Sequence, residues 1–310
     1  MKKLIVLFAM LVPAFSWSQC QSVRFAQVDW TDVQATTAVA AEILQRLDYQ
    51  VQVDEMSVPQ VYESLANGSA DVFLGNWMPS MEPIIAPYQQ QGRVTVLAEN
   101  LNGAKYTLAV PDYVYQGGVR SFADLARFKD RFRGRIHGLE KGNDGNALLL
   151  QMIDKNDFGL AGFNLLQLPE RLMLRQVERH IREQQWIAFL AWAPHPMNNQ
   201  FNIKYLAGGD EYFGPNYGGA TVHTNVRAGF AQDCPNVARL LNNLTFDLKM
   251  EGQMMDMILN QFVPADRAVR AWMHKNPQTV ARWLNGVTTQ AGQPANAEQL
   301  SAAMKLTIDH

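Results

Sequence analysis

The chain of 310 residues has two cysteines, a formal net charge of -2 and, beyond its N-terminus, no apolar run long enough to span a bilayer. Near-neutral charge argues against nucleic acid as a partner. The short motifs of common enzyme chemistries are missing too: no Gly-x-Ser-x-Gly elbow, no phosphate-cradling P-loop and no His-Glu-x-x-His. Its six histidines, His137, His180, His195, His223, His274 and His310, are scattered without metal-ligand spacing. Neither a metal nor a cofactor is expected, and an enzyme is not the first reading. Internal repeats and low-complexity linkers are likewise absent.

The N-terminus sets the compartment. Lys2 and Lys3 precede the apolar run from Leu4 to Phe15, too short to span and followed by small residues. Residues 1–18 are therefore expected to be an export signal, and the mature protein to be soluble and periplasmic. In that oxidising compartment the even pair Cys20 and Cys234 reads as a disulfide. The rival reading is a lipoprotein acylated on Cys20, although Trp17-Ser18-Gln19 is a poor lead-in for it.

Along the mature chain a short strand at Val23–Ala26 is followed by a helix with Ala35, Val39, Ile43 and Leu47 at four-residue spacing. Strands at Tyr49–Val53 and ending at Trp77 flank a helix over Val58–Ala66, an order that predicts a parallel sheet with helices on both faces. Thr107–Val110 reads as another strand. The middle repeats the scheme: a charged, solvated helix over Phe122–Phe132, a strand at Arg135–Leu139, a tight loop at Gly142–Asn146, a helix over Ala147–Ile153, a strand at Phe163–Leu168 and a helix from Pro169 to Gln184. A strand at Ala220–Asn225 precedes helices starting near Asn236 and Gln253. Met250, Met254, Met255 and Met257 there read as adaptable packing rather than a copper site. The expectation is two α/β lobes, with 19–109 and 220–310 forming one and 110–219 the other. A chain crossing twice between lobes makes a hinge, and the cleft closes on a small molecule.

Two apolar runs end alike. Val72 to Pro79 and Ile187 to Pro194 each carry a tryptophan, Trp77 or Trp192, just before a proline bend. Each reads as a buried parallel strand presenting an indole at the edge where open α/β sheets hold their ligands. Trp30 and Tyr106 also stand next to strands. Four rings around one cleft would make a cage suited to a cation without N–H donors. Asp32 reads either as an N-cap or as an acceptor and counter-charge for such a ligand. Asn143 offers a donor and an acceptor, or is simply a turn residue tolerating φ > 0.

The strings Gln27-Val28-Asp29-Trp30-Thr31-Asp32, Phe73 to Pro79, Gly103 to Leu108, Gly142 to Asn146, Ala191 to Pro196 and Phe213 to Ala220 carry a resemblance. Over nearly the whole mature chain the protein resembles the periplasmic choline-binding components of ABC importers, within the wider class of quaternary-ammonium and glycine betaine binding proteins. The resemblance implies an α/β, two-lobed fold of the type II periplasmic binding-protein kind with the ligand cleft between lobes. It places a trimethylammonium box on Trp30, Trp77, Tyr106 and Trp192, and a choline hydroxyl on Asp32 and Asn143. It also implies a Cys20–Cys234 bridge, a transmembrane ABC permease as partner and a monomer. One departure is Ala193, where relatives are expected to carry an acidic residue between tryptophan and proline. The nearest alternative is a glycine betaine or carnitine carrier of the same fold. A secreted choline-ester hydrolase is more remote, because no nucleophile and base accompany the aromatics.

Overall fold

The structure is a computed structural model that describes residues 20–308, so the export signal expected over 1–18 lies outside the described residues. Among the described residues the strands are β1 (Ser22–Gln27), β2 (Gln50–Glu55), β3 (Val72–Met78), β4 (Val94–Pro111), β5 (Arg135–Gly138), β6 (Asn164–Gln167), β7 (Phe189–Ala193), β8 (Ile203–Tyr205) and β9 (Gly219–Arg227). They form one sheet in the order β2-β1-β3-β9-β4-β7-β5-β6, with β8 beside β4. β1 runs parallel to β2 and β3. Helices Thr31–Arg46 and Val58–Asn67 make the crossovers that parallel neighbours require. No described helix is long and apolar enough to cross a membrane.

The sheet is mixed, which corrects the expectation of parallel strands throughout. β9 is antiparallel to both β3 and β4, and β4 is antiparallel to β7 and β8. β7 is parallel to β5, and β5 to β6. Each tryptophan-bearing strand, β3 and β7, therefore has one parallel and one antiparallel neighbour. The expected strand at Thr107–Val110 is only the end of β4, which is 18 residues long. Its first part pairs with β9 through three register shifts, and these bulges break the two-residue alternation by which a strand is recognised.

β4 and β9 lie side by side in the middle of the sheet. Lys105 of β4 pairs with Gly219 of β9 and also with Ala193 of β7. At this residue the strand passes from one half of the sheet to the other. The chain thus leaves the first half and returns to it at neighbouring points.

Other boundaries shift for local reasons. The expected helix over Phe122–Phe132 is a helix Phe122–Arg127, opened by a Ser121/Asp124 capping box, and a 3-10 turn Lys129–Phe132. The helix expected from Ala147 begins at Asp144 and runs to Lys155, absorbing most of the expected loop. The polar tail after Gln293 contains a helix, Ala297–Ile308, packed on helix Ala265–Lys275. Met250, Met254 and Met255 are buried on helix Leu248–Leu259. Cys20 and Cys234 are joined by a disulfide across 214 positions, fixing the start of β1 to the segment before helix Pro235–Asn243.

One buried acid ties three strands. Asp71, just before β3, accepts from the Arg24 guanidinium at 2.9 and 3.0 Å, from the Arg24 backbone N–H at 2.9 Å and from Arg227 Nε at 2.7 Å. Burial alone would raise its pKa, but the bonds from Arg24 and Arg227 outweigh burial and hold the carboxyl below the usual range. Asp71→Asn is expected to lower unfolding free energy by about 2–4 kcal/mol, since two arginines lose a shared anion. Asp71 has a depressed folded pKa, so its contribution is full above the unfolded value and fades as pH falls through the folded one. Urea titrations of wild type and variant should therefore differ at pH 7 and converge as the solution is made strongly acid.

Candidate ligand-binding site

Near the middle of the sheet, a small cavity is lined by Trp30, Asp32, Trp77, Tyr106, Leu139, Asn143, Asp144 and Trp192. All six candidate residues from the sequence line this one space. Every lining residue is buried, none more than 5% exposed. Trp77 and Trp192 stand at the ends of β3 and β7, each followed by a cis X-Pro peptide. Tyr106 sits on β4 one residue past the crossover, directly opposite Trp192 in the strand register. Trp30 and Asp32 open helix Thr31–Arg46, while Asn143 and Asp144 open helix Asp144–Lys155.

Hydrogen bonds at the ring edges fix the aromatic walls. Trp77 Nε1–H donates to Asp32 Oδ2 at 3.0 Å, and Trp30 Nε1–H donates to Glu140 Oε1 at 3.0 Å. The Tyr106 hydroxyl donates to Asn143 Oδ1, also at 3.0 Å. Anchored by their edges, these rings are free to present their faces. The Trp77 and Tyr106 rings lie 6.0 Å apart at 58°, and Phe213 packs edge-on against Tyr106 at 5.7 Å. The Tyr106 hydroxyl comes so close to Gly145 that a Cβ there would lie 2.2 Å from it, so this position on the helix must be glycine.

Two local readings change. Asp32 does not cap its helix: Trp30 occupies the N-cap position, and its side chain makes no capping bond. The cap comes instead from the other half of the molecule. Glu170 accepts from the Thr31 backbone N–H at 2.9 Å and from the Thr31 hydroxyl. Asn143 is a true N-cap, with φ -64°, whose Oδ1 accepts from Asn146 N–H at 3.0 Å, rather than a turn residue of positive φ.

Glu170 is held from a second side. His195 Nδ1 accepts from the Met197 N–H at 2.9 Å, which leaves Nε2 to donate to Glu170 Oε1 at 3.4 Å. The His195 ring in turn lies edge-on to Trp192 at 4.5 Å. Burial would raise Glu170, but His195 and Thr31 outweigh it and keep this carboxyl below its usual range.

The cavity is strongly acidic in character. Burial, with the Glu170 charge adding to it, pushes Asp32 up to about 7, while the Trp77 N–H opposes the shift. Burial pushes Asp144 up to about 6. Glu140 is raised by burial, and Glu251 is raised well above the usual range by burial and then by the Asp32 charge. No lysine, arginine or histidine lines the space. Four lining atoms are buried without a hydrogen-bond partner in the protein: Asp32 Oδ1, Asn143 Nδ2 and both carboxylate oxygens of Asp144. An orphaned acceptor and an orphaned donor among aromatic faces match a small cation that also bears a hydroxyl. Asp144, Leu139, Glu140 and Glu170 were not singled out in the sequence. Asp144 adjoined Asn143 at a helix start, the one signal that pointed to it.

Comparison with known proteins identifies the family. Residues 21–275 match the OpuAC family, the substrate binding domain of ABC-type glycine betaine transport system. The solved structure of an ABC-transporter choline binding protein in complex with choline is 49% identical, with a TM-score of 0.89, over 93% of this chain and 98% of that one. A choline binding protein in an unliganded semi-closed conformation is 50% identical with a TM-score of 0.84, over 92% and 99% of the two chains. An uncharacterized protein, ORF1, from Chromohalobacter salexigens is 58% identical over 137 residues, 44% of this chain and 88% of its own. With the family match running over most of its length, the chain belongs to the OpuAC family of ABC-transporter substrate-binding proteins.

Proposed function

We propose that this protein is an extracytoplasmic carrier that binds choline in an aromatic cage and hands it to a membrane permease, with no reaction of its own. The observation that carries this reading is the lining: four aromatic residues, two carboxylates and no basic side chain. Trp30, Trp77, Tyr106 and Trp192 would enclose the trimethylammonium group, which has no N–H to donate and is held by ring faces. Each desolvated cation–π contact contributes about 1–2 kcal/mol, so four supply much of the ~8 kcal/mol of a micromolar complex. Asp32 Oδ1 would accept from the ligand hydroxyl and Asn143 Nδ2 would donate to it, using one orphaned atom of each kind.

Glycine betaine or carnitine fits this lining less well. Their carboxylate calls for a guanidinium, an ammonium or several N–H donors. Here it would find one amide N–H and two acids. The similarity to choline-binding structures at 49% and 50% identity points the same way.

The carrier works by closure. Residues 19–109 with 220–310 form one lobe and 110–219 the other, with the hinge in β4 and β9. Trp192 and Asn143 complete from the second lobe a site begun by Trp30, Asp32, Trp77 and Tyr106 on the first. The Glu170 carboxylate that caps helix Thr31–Arg46 then latches the closed form, which docks on the permease as a monomer.

Two measurements test the reading. Calorimetric titration of the purified mature protein should give tight choline binding and at least tenfold weaker glycine betaine binding. The reverse order would keep the fold and cage but change the ligand. Trp192→Ala should weaken choline binding at least tenfold, as expected for a lost cation–π wall, with its far-ultraviolet circular dichroism unchanged. Wild-type affinity in that variant would remove Trp192 from the cage.

A further inference from the structure

Asp144 is the buried group in this molecule with the least internal explanation. It is 1% exposed, lines the cavity, and has both carboxylate oxygens without a hydrogen-bond partner. The Ser80 hydroxyl and the backbone N–H groups of Asp144 and Gly145 oppose in part the rise that burial imposes, yet the Ser80 hydroxyl itself donates to the Trp77 carbonyl at 3.2 Å. The surrounding titratable groups offer it no cation. Asp32 and Tyr106 share the cavity with it, the Tyr62 and Tyr106 hydroxyls both feel its charge, and Glu140 on its own loop is another acid. Its position at the first turn of helix Asp144–Lys155 gives the carboxylate some support from the helix N-terminus. That support does not replace a partner for a buried anion, whose isolation is costly.

We propose that Asp144 is the counter-charge for the ligand's quaternary ammonium and the residue that excludes quaternary amines bearing a carboxylate. This rests on the choline reading above and deepens it. Asp32 is already engaged through Oδ2 by Trp77 and is left with one free oxygen for a hydroxyl. Asp144 keeps both oxygens free. The hydroxyl and the charge of the ligand are thus recognised by different carboxylates on different lobes. A ligand with its own carboxylate meets two negative groups and gains one amide donor.

A proton linkage accompanies this division. Burial raises Asp32 to about 7 and Asp144 to about 6. A bound cation favours the ionised form of each, so choline binding should release protons near pH 6 and tighten as pH rises. Below pH 6 a ligand that needs the ionised Asp144 loses roughly tenfold in affinity per pH unit.

The test is Asp144→Asn, titrated with choline and with glycine betaine at pH 8 and pH 5 in calorimetry. Choline affinity at pH 8 is expected to fall at least tenfold, and the choline-to-betaine ratio to fall by a similar factor or more. The unliganded variant should melt at or above the wild-type temperature, because it no longer buries an unpartnered carboxylate. A variant that fails to fold, or that keeps wild-type choline affinity and selectivity, overturns the proposal. Asp32→Asn gives an independent arm, since Asp144 is then the one carboxylate lining the cavity. Residual choline affinity that still weakens between pH 8 and pH 5 supports the proposal, and a flat profile overturns it. Wild-type protein that ignores choline at pH 8 overturns the ligand reading and this one with it. Normal wild-type binding beside an indifferent Asp144→Asn overturns this one alone.

Discussion

Negative charge held out of water, with no internal cation beside it, is the condition around which the site is organised. Asp32 and Asp144 share a cavity that has aromatic walls and no basic residue. Isolating such groups costs several kcal/mol apiece in ordinary protein interiors. The molecule tempers that cost only in part. Trp77 gives Asp32 one N–H, while Asp144 has weak support from the Ser80 hydroxyl and no hydrogen bond of ordinary geometry at either oxygen. On the proposed reading, what remains is free energy that a cation of the right size would recover on entering. The proposed selectivity would follow from the same imbalance, because an anion, or a zwitterion turned the wrong way, would meet the uncompensated side.

The indole and phenol edges solve a second problem. A cage needs ring faces at fixed angles, and aromatic side chains rotate unless something holds them. Trp30, Trp77 and Tyr106 each spend their single donor on an acceptor behind the wall, namely Glu140, Asp32 and Asn143. Trp192 lacks such a bond among those described and is braced instead by the His195 ring at 4.5 Å. His195 leads to Glu170, and Glu170 to the first turn of helix Thr31–Arg46. A ligand-facing wall on one half of the molecule is thereby connected to a helix start on the other. Separating the halves would uncap that helix and loosen the brace together.

Much of the fold was legible because its early strands and helices have clean periods. The βαβαβ opening, with Val39 and Ile43 on one helix face and Trp77 at a strand exit, needed only local pattern. The antiparallel return was not legible. In β4 the bulges around Ala98, Leu101 and Ala104 disrupt alternation, so the first half of an 18-residue strand carries no clear strand signal. The site was read through its aromatic edges, and all six named residues meet in space. Asp144 and Glu170 were passed over for a physical reason. An acid in a first helical turn is commonplace, since the helix dipole favours it there. Only burial, with missing partners for Asp144 and distant ones for Glu170, separates these two from ordinary ones, and both belong to tertiary structure. Asp32 shows the converse: a residue placed like a cap gives that task to a glutamate 138 positions away and faces the cavity instead.

The pairing of Lys105 with Gly219 means that the polypeptide departs from the first half of the sheet and re-enters it through adjacent rungs of one ladder. Everything between those rungs behaves topologically as an insert whose two ends already touch. Such a segment can be exchanged at this seam without rethreading the rest. For protein engineers the same seam is a natural splice point for a reporter domain that senses the approach of the two sides.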